Sequence, residues 1–127
     1  MKVLLDTHIA LWWANDPAQL STDVIALIGD QSTQAYVSVV SAWELAIKAA
    51  LGRLDVDVRS LFAALSTNGI SPIGISVDDT YRGATLDWAH RDPFDRMLVA
   101  QALRLGGVIV TRDRQIVDAG LVATVAA

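Results

Sequence analysis

Apolar positions along this chain follow two patterns. Short aliphatic runs at Lys2 to Leu5, Ala35 to Val39, Ile73 to Ile75, Val108 to Val110 and Leu121 to Val125 read as β-strands. Between them, apolar residues recur at helical spacing. Ile9 to Ala14 forms one such segment and stops near Asn15-Asp16-Pro17. Ser21 caps another that runs to Ile28, with Gly29 as its stop. Ser41 opens a helix through Leu51, and Gly52 takes the favoured position just beyond it. Further helices cover Val58 to Ser66 and Val77 to Leu86, the latter with Asp78 and Asp79 at its positive end. Phe94 to Leu105 is the clearest helix: Met97, Leu98, Gln101, Ala102 and Leu105 share a face, and Gly106-Gly107 close it.

Strands alternating with helices imply βαβ units. The expected fold class is α/β, a single domain over residues 1–127 in which helices cover both faces of a central, mostly parallel sheet. No repeat, low-complexity tract or linker interrupts it. Ligands of such sheets bind beyond the carboxyl ends of the strands. That rule directs attention to four acids in four segments. Asp6 and Asp113 follow strand-like runs, whereas Glu44 and Asp95 are expected in the first turns of helices.

Each acid has a second reading as a helix cap. Asp6 can cap the segment beginning near His8, and Asp113 can cap a short helix toward Val117. Ser41-Ala42-Trp43-Glu44 matches the S-x-x-E capping box. Glu44 is also the only glutamate among fourteen acidic residues, and its extra methylene extends its reach. Asp92 suits an N-cap, Pro93 the first helical position and Asp95 the third, so this helix start holds one acid more than capping requires. Taken together at one rim of a sheet, four carboxylates repel unless a cation or protons intervene. They suit a hard divalent ion such as Mg²⁺, and hence metal-assisted phosphodiester hydrolysis.

Composition narrows the function further. The formal charge of −4 argues against a broad basic nucleic-acid surface, although a bound metal ion can supply positive charge locally. The absence of cysteine removes disulfides and thiolate metal sites. The opening run is too short and too charged for a secretory signal, and no apolar stretch approaches the ~20 residues that span a bilayer. A cytoplasmic chain that does not enter the membrane is expected.

The segments LLDTHIALWW, SVVSAWELAIK, HRDPFDRMLVAQAL and VIVTRD, in this order and spacing, resemble a PIN domain over essentially the whole chain. The likeness is to VapC-type toxins of bacterial type II toxin–antitoxin systems. It implies a PIN-like α/β/α sandwich and an endoribonuclease dependent on Mg²⁺ or Mn²⁺. It also implies a homodimer inhibited by a VapB-type antitoxin. Its acidic positions fall on Asp6, Glu44, Asp95 and Asp113, as metal ligands and catalytic groups, and Thr111 matches the hydroxyl residue near the last acid.

Arg96, Arg112 and Arg114 flank the acids and are candidates for RNA phosphates or for ion pairs, and Arg91 is similar. His8 and His90 lack a paired metal-binding spacing and are expected to be solvent-facing or structural. Trp12 and Trp13 point to different faces, with core packing weighed against a partner groove. Trp43 is expected inside, and Trp88 beside an RNA channel. A receiver-like Mg²⁺-binding phosphorylation switch is an alternative of similar size, but Asp6 is followed by Thr7 and the only lysines are Lys2 and Lys48. A non-catalytic PIN-like RNA-binding module is a second alternative.

Overall fold

In the computed structural model, which describes residues 1–127, strands and helices alternate along the chain. They are β1 (Lys2–Leu5), α1 (Thr7–Asn15), a 3₁₀ turn (Pro17–Gln19), α2 (Thr22–Gly29), β2 (Gln34–Ser38), α3 (Val39–Ala50), α4 (Val58–Thr67), β3 (Ser71–Ile73), α5 (Val77–Thr85), α6 (Pro93–Leu105), β4 (Val108–Thr111), α7 (Arg114–Ala119) and β5 (Thr124–Ala126). The strands form one sheet in the order β3-β2-β1-β4-β5, and every pairing is parallel.

Side chains alternate across β1, which explains the layers. Val3 and Leu5 enter a core with Ile9, Val24, Leu45, Leu61 and Leu65, from α1 to α4. Leu4 faces the opposite side, with Leu98, Val99, Ala102 and Ile116 from α6 and α7. Both β1 faces are buried, so its sequence reads as a continuous aliphatic run rather than an alternating one. The turn into β4 is tight. Gly106 closes α6 at φ 66°, and a Cβ on Gly107 would lie 2.6 Å from the Lys2 carbonyl oxygen.

The chain leaves β1 toward β2 on one side, while β4 pairs on the other. The β1–β4 crevice is therefore the point where strand order reverses, the usual ligand position in open parallel sheets. Asp6 and Asp113 lie just past the carboxyl ends of these two strands. This order differs from the 2-1-3-4-5 order of flavodoxin-like folds, which removes the receiver alternative.

Most boundaries fall within two residues of the sequence reading, and three differences bear on the site or the sheet. Ser38 rather than Ser41 caps α3, its hydroxyl accepting from the Val40 N–H at 3.0 Å. The helix thus starts almost one turn early, and Glu44 lies in its second turn outside any capping box. The strand expected over Ile73 to Ile75 is Ser71–Ile73 and includes Pro72, which an edge strand tolerates because one side of its ladder is unpaired. The last strand is confined to Thr124–Ala126. No helix is long and apolar enough to cross a membrane.

Candidate metal centre

A cavity of about 390 Å³ opens at the β1–β4 crevice. Asp6, Glu44, Asp95 and Asp113 all line it, with Asp92, Thr7, His8, Trp12, Lys48 and Arg112. The fold thus brings the four expected acids to one place from four segments.

Helix starts and strand ends position each carboxylate. Asp6 caps α1, with Oδ1 accepting from the Thr7 N–H at 2.7 Å and Oδ2 accepting from the Thr111 hydroxyl at 2.6 Å. Thr111 is fully buried and itself accepts from the Asp113 N–H at 2.9 Å. It therefore couples the ends of β1 and β4, and its hydroxyl faces Asp6 rather than the carboxylate of Asp113. Asp113 caps α7 through the Gln115 N–H. Capping and cavity lining thus coincide at Asp6 and Asp113, although the sequence presents them as alternatives.

Glu44 is held by a chain of hydroxyls. The Thr7 hydroxyl donates to Glu44 Oε1 at 2.9 Å and lies 2.8 Å from the Ser41 hydroxyl. Thr7 has one proton, which is committed to Glu44, so Ser41 donates to Thr7. Ser41, Glu44 and Lys48 share one face of α3, and Lys48 Nζ approaches Glu44 Oε2 at 3.3 Å.

Asp95, in the first turn of α6, pairs with His90 Nε2 at 2.7 Å. Asp92 caps the same helix through the Phe94 and Asp95 N–H groups, using only Oδ1. The sequence offers Asp92 as a helix cap and His90 as a solvent-facing or structural residue. Yet His90, Asp92 and Asp95 are the one group whose ligand atoms all lie within 4.8 Å of one another. Asp6, Glu44 and Asp113 share the cavity at wider spacing, which suits an ion that keeps much of its water shell.

The electrostatics match a site built for positive charge. Burial pushes the Asp95 carboxyl up to about 6; Asp92, Asp6 and Asp113 add repulsion, and the His90 hydrogen bond opposes the rise. Asp6 is also raised, first by burial and then by Asp113, against hydrogen bonds from Thr111 and Thr7. The donors are oxygen-rich, and five carboxylates share the cavity with only Lys48 and Arg112, so the residues fit a hard divalent cation.

The three flanking arginines divide: Arg96 and Arg112 bond to backbone carbonyls, whereas Arg114 makes the ion pair that was one of its two readings. All five guanidinium N–H donors of Arg96 are used by the carbonyls of Gly83, Ala84, Leu86, Trp88 and His90. Arg96 therefore fixes the segment between α5 and α6 and has no donor left for phosphate. Arg112 lines the cavity, but it donates to the Ala127 and Gln19 carbonyls and lies 4.8 Å over the Trp12 ring. Arg114 pairs with Asp118 on the surface.

The aromatic expectations divide. Trp12 and Trp13 are both half-buried against the larger core; Trp12 also lines the acidic cavity. Trp88 packs on the smaller core, 4.9 Å from the His90 ring. Trp43, expected inside, is 63% exposed and meets the edge of Phe94. Ser41 and Glu44 face Thr7 on the inner side of α3, and the helical turn between neighbouring residues carries Trp43 out to solvent.

The family model for the PIN domain matches residues 3–121. The chain is 29% identical to Ribonuclease VapC22 of Mycobacterium tuberculosis, over 90% of this chain and 88% of that protein. Its fold is similar to that in VapBC2 from Rickettsia felis bound to a DNA fragment from their promoter, with TM-score 0.74 and 13% identity over 99% of this chain and 98% of the other. It is also similar to VapBC-1 from nontypeable Haemophilus influenzae, with TM-score 0.64 and 20% identity over 99% and 98% of the two chains.

Proposed function

The chain belongs to the PIN domain family, and from that membership we propose that it is a Mg²⁺-dependent endoribonuclease toxin acting on RNA phosphodiester bonds. One observation carries the reading: carboxylates from four separate segments line one cavity at the sheet's switch point. The similarity to Ribonuclease VapC22 supports RNA as the substrate.

Asp6, Asp95 and Asp113 would hold Mg²⁺, or Mn²⁺ in its place, directly or through water, with Glu44 completing the set. A bound ion supplies charge neutralisation at the attacked phosphate and lowers the pKa of water. Thr111 and the Thr7 N–H fix both oxygens of Asp6. Thr7 fixes Oε1 of Glu44, while Oε2 meets Lys48 and keeps a lone pair that can orient an attacking water. Water attack releases a 5′-phosphate and a 3′-hydroxyl, whereas a 2′,3′-cyclic phosphate among the primary products contradicts this route.

The VapBC neighbours support a VapB-type antitoxin as inhibitor. A homodimer is supported by α3 and its C-cap, where Val39, Trp43, Ile47 and Leu51 recur every four residues as an exposed apolar stripe. This reading places the toxin in the cytoplasm, with its RNA substrate.

The test is cleavage of total RNA with Mg²⁺, with EDTA, and by Asp6→Asn and Asp95→Asn proteins. Cleavage by the wild type with Mg²⁺, lost under the other conditions, is expected. Undiminished cleavage after chelation and in both variants would refute the metal-dependent reading.

A further inference from the structure

The acidic cavity contains five carboxylates, Asp6, Glu44, Asp92, Asp95 and Asp113, but only two cationic side chains, Lys48 and Arg112. A phosphodiester entering it meets repulsion that a metal ion relieves at one phosphate. The flanking phosphates of the same strand still need a partner, and phosphate contacts are what set the register of a nucleic acid on a protein.

Free donors, together with freedom to move, separate the cations. Arg96 has spent all five on backbone carbonyls. Arg112 keeps three of its five donors, but stacking on Trp12 and bonds to the Gln19 and Ala127 carbonyls hold its guanidinium in one place. Arg91 lines a different cavity, beside Pro93 and Met97. Lys48 Nζ makes one hydrogen bond, to Glu44 Oε2 at 3.3 Å, and its side chain is 36% accessible. An ammonium has three N–H donors, so two remain uncommitted. The four-carbon stem lets the charge swing while α3 stays fixed. A partly exposed pair four residues apart on a helix is weak, so a phosphate can recruit Lys48 at little cost to the fold.

We propose that Lys48 is the cavity's phosphate-binding residue, contacting an RNA phosphate beside the scissile bond. This assignment rests on the ribonuclease reading and replaces Arg96 in that role. It gives the α3 face a division of labour: Ser41 and Thr7 fix Glu44, and Lys48, one turn on, receives the strand.

The experiment compares wild type, Lys48→Gln and Lys48→Arg by RNA cleavage kinetics with Mg²⁺ at several KCl concentrations. Anisotropy of a fluorescein-labelled single-stranded RNA is measured in parallel. Lys48→Gln should raise KM about tenfold, the scale of one charge-assisted hydrogen bond. It should also make the slope of log affinity against log salt shallower by about 0.7, the loss of one single-strand phosphate contact. Lys48→Arg should restore most of both, and the Mg²⁺ concentration for half-maximal rate should stay within about twofold across the three proteins, since Lys48 is not a ligand. An unchanged salt slope with a lower kcat and an altered Mg²⁺ requirement would show that Lys48 serves only to orient Glu44, overturning the proposal. A wild type that cleaves normally separates that outcome from failure of the ribonuclease reading; a wild type that neither binds nor cleaves RNA overturns both.

Discussion

Replacing Asp95 with Asn should make the metal-free protein more stable while abolishing its activity. The carboxyl sits in the first turn of α6 with 14% of its side chain accessible, facing Asp92, Asp6 and Asp113. Burial and this repulsion raise it from 3.8 to about 6. The folded chain therefore retains a proton up to about pH 6 that the unfolded chain releases near 3.8. Across that window the native state binds more protons, so its stability falls as pH rises and levels off above about 6. A displacement of this size corresponds to at most about 3 kcal/mol. Solvent screening from the open cavity reduces the recoverable part to about 1–2 kcal/mol. Asn keeps the shape and a hydrogen bond for His90 without the charge. Urea denaturation followed by circular dichroism in EDTA should show Asp95→Asn more stable by that amount at pH 8. The advantage should shrink at pH 5, where the wild-type carboxyl is largely protonated in the folded state. Saturating Mg²⁺ should reverse the order, because a ligand at about 100 times its Kd adds about 2.7 kcal/mol to the protein that binds it. An Asn variant less stable than wild type at pH 8, or an advantage independent of pH, would refute the reasoning.

Thr7→Val keeps the volume but removes the donor to Glu44 and strands the buried Ser41 hydroxyl. It should lose about 1–3 kcal/mol in denaturant titration and lower kcat more than it raises KM. Arg96→Gln abandons the carbonyls that hold the segment from Gly83 to His90, so hydrogen exchange there should accelerate and stability fall by about 2 kcal/mol. The salt slope of RNA binding should not move; a shallower slope would return Arg96 to a phosphate role. Trp43→Glu places charge in the exposed stripe of α3. It should shift sedimentation from dimer to monomer without loss of thermal stability; an unchanged dimer would locate the interface elsewhere.

Much of the fold was legible because β1, β2 and β4 are aliphatic runs, while α6 has a strong cap and a helical apolar face. The parallel order then carried Asp6 and Asp113 to one rim. Legibility failed where two serines lay one turn apart. Ser38 and Ser41 can each cap a helix, and only packing selects Ser38: Ser41 is needed under Thr7, and Val40 in the smaller core. The capping box assigned to Ser41 and Glu44 instead occurs at Ser76 and Asp79, where Arg104 completes the pairing of the buried acid. Reading Glu44 as a capping residue drew attention from its i, i+4 partner Lys48, and the exposure of Trp43 depends on which face of α3 meets Thr7. Spacing of four residues on one helix was the available signal for Lys48. His90 gave less warning, since its contact with Asp95 depends on a loop held by Arg96.

Diffraction from crystals soaked in Mn²⁺, recorded for the anomalous signal of manganese, tests the centre most directly. A peak between Asp6, Asp95 and Asp113, within direct or one-water reach of all three and lost in Asp6→Asn crystals, is expected. A peak held only by His90, Asp92 and Asp95 and indifferent to Asp6, or no peak in the crevice at saturating Mn²⁺, would contradict convergence of the distant acids on one ion.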